Sequence, residues 1–288
     1  MHDIKTYLTP GSIDEAAKAM AQGGVTVFCG GTDLSPQVES GARQYTATLM
    51  NIRRIKDMGG ISESGDSIRI GALTTVTEIR RDSLIAKAAP ILAEAAEHFA
   101  SDQIRNAASV GGNICNASPA GDMINPLLVL DAEIELARWE GGAVATRRVA
   151  MTDFFVAPRK TVKRDDELLT AVFFKRPAAD FVGYFRKSGP RPALEISTVS
   201  VGIGGRLDKG VFRNVRVAMG SVAPTPLRAR NVEAALEGKP LNADSIRAAV
   251  AATGADAKPI DDVRASAWYR DHLVKVFTEE VLNHVLGN

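Results

Sequence analysis

The sequence predicts an α+β protein in two parts, with the division near residues 176 to 180. Three observations carry that expectation. The first fifty or so residues alternate apolar strand-like runs with helical segments. The text after Ala178 reads instead as a meander of strands followed by helices. A length of 288 residues is long for one compact domain and short for three.

The elements follow in order. "SIDEAAKAMAQGG" opens on Ser12 as an N-cap with Glu15 at capping-box distance, and Gly23-Gly24 stops the helix. "VTVFCG" (25–30) is apolar on both faces, the pattern of a strand buried on both sides. "TATLMNI" (46–52) is a further strand. A turn at Ser64-Gly65-Asp66, a short strand and a polar-capped helix start come next. "SLIAKAAPILAEAAEHFAS" is helical in period, and Pro90 divides it in two. "AEIELAR" and "ATRRVAM" flank Gly141-Gly142 as a hairpin, and "ELLTAVFF" closes the first part as a strand. In the second part "GYFRKS", "EISTVSVGIGGRLD" and "GVFRNVRVAMGSV" are strands. "NVEAALEG", "ADSIRAAVAATGA" and the segment 265–287 are helices.

Composition narrows the function. A formal net charge of +1 leaves no basic footprint for nucleic acid or an anionic membrane. No apolar run approaches the roughly 18 to 20 residues that span a bilayer. The N-terminus lacks a secretory signal, so a cytoplasmic, reduced setting is expected. The two cysteines, Cys29 and Cys115, are too few for a disulfide framework, a four-thiolate zinc site or an iron–sulfur cluster. The four histidines show no metal-ligand spacing.

No nucleophile–base constellation stands out, so any chemistry belongs to a bound cofactor and no catalytic residue is assigned. "VGIGG" (201–205) imitates a dinucleotide fingerprint. Its sixth place is Leu207 and a strand-like run follows, so it reads as a strand with a bulge or a close backbone approach. "CGGTDL" alone reads either as a strand-to-helix turn capped by Asp33 or as an anion cradle. "SVGGN" and "ASPAGD" add a second donor-rich glycine stretch, with Ser109, Asn113, Ser118, Gly121 and Asp122. Two such stretches with few basic residues suit a diphosphate held by backbone amides.

The stretches "VFCGGTDL", "IRIGALTT", "QIRNAASVGGNICNASPAGDMINPLLVLDAEIEL" and "YFRKSGPRPALEISTVSVG" together resemble the FAD-binding subunit of the molybdenum hydroxylases. That family includes medium subunits of carbon monoxide dehydrogenase and the FAD domain of xanthine dehydrogenase. The resemblance covers essentially the whole chain. It implies a two-lobed FAD-binding domain of the vanillyl-alcohol-oxidase (PCMH) type over 1–177, with lobes at about 1–55 and 56–177. A smaller α+β domain, an antiparallel sheet with helices, would span 178–288.

The resemblance also implies site residues. Val27, Phe28, Cys29, Gly30, Gly31, Thr32, Asp33 and Leu34 would form a first loop on the FAD pyrophosphate. Ser109, Val110, Gly111, Gly112 and Asn113 would form a second, with Ser118 and Gly121 beyond it. A side chain added at Gly31 or Gly111 would then fill diphosphate space. Asp122 matches a carboxylate that bonds the cofactor. Phe99 matches an aromatic packed against it, and Val162 and Lys187 match residues near the flavin. Glu195 lies on a segment that passes near the ring in relatives. Cys29 stands where many members carry alanine, which brings an oxidisable thiol close to the flavin.

The implied role is that of one electron-transfer station. Substrate would be oxidised at a molybdopterin centre of a large partner subunit. Electrons would pass through [2Fe–2S] clusters of a small partner to FAD here, then to NAD+, quinone or another acceptor. The alternatives are a stand-alone FAD oxidoreductase of the same fold, with Glu195 and Lys187 as its acid–base candidates, and a flavin-free assembly subunit.

Overall fold

A computed structural model describes residues 4–189, 191 and 196–287. The first lobe is a three-stranded parallel sheet built from β1 (Thr6–Leu8), α1 (Ile13–Ala21), β2 (Val25–Phe28), α2 (Leu34–Glu39) and β3 (Thr48–Asn51), in the strand order β1-β3-β2. Ser12 caps α1 by accepting the Glu15 amide at 3.2 Å, and Gly23 and Gly24 end it with φ of 73° and 64°. β2 differs from the expectation for its sequence. It is an edge strand, and only Thr26 in it is fully buried. Val25 and Val27 have apolar side chains because they wall a cavity.

The second lobe runs β4 (Ile61–Ser64), β5 (Ser67–Gly71), α3 (Val76–Arg81), α4 (Ser83–Ala88), α5 (Pro90–Glu97), α6 (Asp102–Ala107), α7 (Val110–Asn116), α8 (Ile124–Val129), β6 (Glu133–Glu140) and β7 (Ala143–Ala150). A small hairpin, β8 (Phe155–Ala157) with β9 (Lys160–Thr161), precedes β10 (Leu168–Lys175). Its sheet is antiparallel, in the order β4-β5-β10-β6-β7. Pro90 opens α5 at its first turn, where a missing N–H costs nothing, and so separates α4 from α5 as its sequence predicts. Gly141 and Gly142, both at positive φ, turn β6 into β7 in register from Glu133↔Ala150 to Glu140↔Ala143.

The third sheet carries β11 (Phe181–Ser188), β12 (Val199–Asp208), β13 (Val211–Gly220) and β14 (Leu227–Arg228) in that order. After α9 (Arg230–Leu236), β15 (Lys239–Pro240) pairs with β13, and α10 (Ala243–Asp256) and α11 (Ala267–Leu286) follow. The "VGIGG" run lies in β12, and the ladder to β13 slips between Gly204 and Arg206, a bulge rather than a nucleotide turn.

Two apolar cores result. One gathers Met50, Ile68, Ile91, Leu127 and Phe154 with their neighbours, and the other gathers Val201, Phe212, Val217 and Phe277 with theirs. α8 is buried along its length and packs on β12 and β13, so it serves both. Charge joins the units as well. Asp131, held at a φ of 49°, accepts Arg228 Nη1 at 2.5 Å and Arg216 Nε at 2.6 Å, while Arg228 Nε reaches Glu233 at 2.5 Å.

Candidate functional site

The two lobes of the first part face each other across a cavity of about 460 Å³. β2 ends at Phe28, and the chain crosses the lobe boundary at Cys29 and Gly30. A Cβ on Gly30 would sit 1.9 Å from the Ala107 carbonyl oxygen, so only glycine lets the lobes approach this closely. Gly31 follows at a φ of 72°. Among the described residues, the backbone amides of Gly30, Gly31, Thr32 and Asp33 have no protein acceptor. Four successive free amides at a glycine turn form a concave donor nest of the kind that holds an anion.

The second glycine stretch is organised differently from its sequence expectation. It is the first turn of α7, with Ser109 as N-cap. Val110 N–H donates to Thr74 O at 3.0 Å, Gly111 N–H to Ala72 O at 2.9 Å, Gly112 N–H to Ser109 Oγ at 3.1 Å and Asn113 N–H to Ser109 O at 3.0 Å. These amides are consumed within the protein. Val110 turns fully into the core. Gly111 packs closely on Ala72, since a Cβ there would meet Ala72 Cβ at 2.7 Å. The glycine there serves the packing of α7 on Ala72. At Gly31 an added Cβ would meet the Phe28 ring at 2.5 Å, so there too protein stands first in the way.

What this stretch offers the cavity is side chains. Ser109 Oγ lies 3.2 Å from Cys29 Sγ across the lobe boundary. Asn113 Oδ1 is buried and has no partner among the described residues. Gly112 opens on the cavity, its Cβ direction passing Ser109 Oγ at 3.0 Å.

The cavity is lined by Val27, Phe28, Cys29, Gly30, Gly31, Thr32, Asp33, Leu34, Phe99, Ser109, Gly111, Gly112 and Asn113, all expected from sequence. Val110, Ser118, Gly121, Asp122, Val162 and Lys187 are not among its lining residues. Ser118 Oγ accepts the Ala120 amide, and Gly121 packs against Ile124. Val162 is bonded through its backbone to Phe154 and Arg147. Asp122 and Lys187 instead meet each other. Lys187 Nζ donates to Asp122 Oδ2 at 2.6 Å with both side chains about 6–7% exposed, and Ser197 Oγ donates to Oδ1. Glu195 lies outside the described residues.

Several lining residues carry no motif in the sequence. Met20, Val25, Leu168 and Leu169 add apolar wall, and Arg43 and Lys163 add positive charge. Arg105 shapes the site from behind: its guanidinium donates to the carbonyls of Glu97 and Phe99 and to Asp102, clamping the turn at Ala100, whose φ is 40°. Glu167, on the floor, is bridged by Arg147 at 2.6 and 2.8 Å and by the Arg164 amide at 2.7 Å. Burial opposes its charge, and these donors outweigh that and hold the carboxyl below its usual range. Asp33 opens on the cavity, yet the enclosing protein raises its carboxyl against the opposing pull of Arg159. Cys115 also opens on the cavity as an exposed residue, and desolvation by the surrounding protein pushes its thiol up to about 11. A second compartment of about 260 Å³ shares Cys29, Gly30, Leu73 and Ser109 with the first.

A backbone-amide nest between two lobes, a cavity of about 460 Å³ with both apolar and polar lining and an orphaned buried acceptor define a protein that binds a nucleotide diphosphate. Comparison with known families makes that class specific. Residues 2–176 match the family described as the FAD binding domain in molybdopterin dehydrogenase, and residues 184–285 match the CO dehydrogenase flavoprotein C-terminal domain. The chain belongs to this family of FAD-binding oxidoreductase subunits.

It is 32% identical over 290 residues to the xanthine dehydrogenase FAD-binding subunit of Escherichia coli O157:H7, covering 100% of this chain and 98% of that one. It is 28% identical over 280 residues to the carbon monoxide dehydrogenase medium chain of Hydrogenophaga pseudoflava, covering 96% and 95%. The solved carbon monoxide dehydrogenase from that organism superposes with a TM-score of 0.93 at 27% identity, covering 98% of this chain and 97% of that one.

The residues present fit FAD. The nest suits the diphosphate, Asn113 Oδ1 can accept a hydroxyl, the apolar walls suit flat rings, and Arg43 and Lys163 offset phosphate charge. No described helix is long and apolar enough to cross a membrane, and no described cluster of His, Cys, Asp or Glu could hold a metal ion.

Proposed function

We propose that this chain is the flavin station of a multi-subunit molybdenum hydroxylase. Electrons from a molybdopterin centre on a large partner would arrive through [2Fe–2S] clusters on a small partner and leave to NAD+, quinone or another acceptor. The observation that carries the reading is the nest of free amides from Gly30 to Asp33 facing a cavity in a chain with two cysteines. Such a chain holds a flavin nucleotide but cannot ligate those clusters, so they belong on partners.

FAD supplies two-electron chemistry that can also proceed one electron at a time. The chain's residues hold it and set its surroundings. The Gly30–Asp33 amides bind the diphosphate, Phe99 and Val27 exclude water from flat ring surface, and Asn113 orients a hydroxyl. In this reading the cofactor-binding unit extends to about residue 177 and the C-terminal unit from 178 braces it. Asp122 and Lys187 then act at the junction of the two, as a buried tie and not as cavity wall. The complex would work in the cytoplasm.

Purification of the chain with its co-purifying partners tests this. A flavin absorption spectrum with molybdenum and iron in the larger assembly is expected. A colourless chain, or a yellow one that turns over substrate with no molybdenum or iron present, overturns it.

A further inference from the structure

The nest is bracketed by two contacts that cross between the lobes. On one side Cys29 Sγ meets Ser109 Oγ, where Gly30 also abuts Ala107. On the other side three side chains that all line the cavity form a chain. Gln37 Nε2 donates to Asn116 Oδ1 at 2.8 Å, and Asn116 Nδ2 donates to Asp33 Oδ2 at 3.1 Å. Asp33 and Gln37 belong to the first lobe and Asn116 to the second.

The polarity of this chain is fixed by chemistry. A carboxylate only accepts, so the Asn116 amide must turn its NH2 toward Asp33, which leaves its carbonyl for Gln37. Asp33 makes no capping bond to α2, so its carboxylate is available for this contact. Asn116 is the last residue of α7 and is followed by Ala117 at a φ of 48°. The Ala117 carbonyl is bonded by the Arg159 amide, which ties down the helix end.

We propose that Asn116 is the positioning residue that latches the two lobes across the cofactor and sets how slowly FAD leaves. The proposal rests on the cradle reading and deepens it. The nest and the cavity walls hold the cofactor. The latch, anchored on Asp33 at the end of the nest, must break for the lobes to part, so it governs release.

FAD release from the purified full-length flavoprotein, followed by the fluorescence of freed flavin, tests the latch. Asn116→Ala is expected to speed release about tenfold, the effect of one charge-assisted hydrogen bond in a partly solvated setting. Asn116→Asp sets two carboxylates together and is expected to release faster still. The exchanged pair Asp33→Asn/Asn116→Asp restores both bonds, because the donor and acceptor simply trade places. It is expected to return release to within about twofold of wild type. A residue that only supported the fold would not be rescued by that exchange. Unchanged release in Asn116→Ala, or an exchanged pair no slower than Asn116→Asp, overturns the latch. A Gly112→Val variant that keeps its FAD overturns the cradle itself, whatever the Asn116 variants do.

Discussion

Lys187 Nζ lies 2.6 Å from Asp122 Oδ2 with both side chains almost completely buried, which joins the end of the "SPAGD" turn to β11. Removing Lys187 takes a buried ammonium away from a buried carboxylate that still holds Ser197. Lys187→Met is expected to cost about 3 kcal/mol. Lys187→Met/Asp122→Asn is expected to recover part of that loss, since no formal charge is then left behind. Urea unfolding of the two variants beside wild type measures it.

Gly111 and Gly112 are neighbours with separate jobs. A side chain at Gly111 strikes Ala72, so Gly111→Val is expected to destabilise α7 packing by about 2 kcal/mol or more. At Gly112 the first atom met is a hydroxyl that can rotate, so Gly112→Val is expected to fold and lose FAD. Melting temperature and flavin content, measured on both, should separate the two.

Glu167 gives the acid limb of stability. Its carboxyl is held below the ordinary glutamate value of about 4.3, so the folded chain binds fewer protons there than the unfolded chain. The contribution is complete above that value and is lost as pH falls through the lower folded one. Glu167→Gln is expected to lower stability at pH 7 by about 2 kcal/mol and to flatten its fall in acid. Unfolding free energy measured from pH 3 to 7 decides it; an unchanged acid limb would count against this assignment.

Cys115 opens on the cavity but keeps its proton, since its thiol is pushed up to about 11. Alkylation at pH 7 is expected to run slower than at a thiol of ordinary value although Cys115 is exposed, because the thiolate is the nucleophile. Peptide mapping after timed iodoacetamide treatment reads this rate.

What the sequence revealed was local. Ser12 with Glu15, Pro90 inside an alanine-rich run, and Gly141-Gly142 between alternating strands each act within a few residues, and each element forms where expected. The fold followed from them and from the family stretches. β1 went unread, since three residues make no pattern. "VTVF" was misread because a cavity wall and a core wall both ask for apolar side chains.

At the site, glycines marked the nest, but the fate of amides in "SVGGN" depends on Thr74 and Ala72, which only folding brings near. Gln37 lies one helical turn past Asp33, a spacing visible in the sequence, whereas Asn116 meets them only because folding sets α7 against the first lobe. Arg147 and Glu167 meet across 20 residues with no signal in the text.

Asp131 is the counter-charge for two arginines that the chain encodes some ninety residues later, Arg216 and Arg228. A C-terminal half set against a corner without that carboxylate would leave Arg216 without its partner there and Arg228 with Glu233 alone as counter-charge. The two halves are therefore matched in charge at this corner as well as in shape.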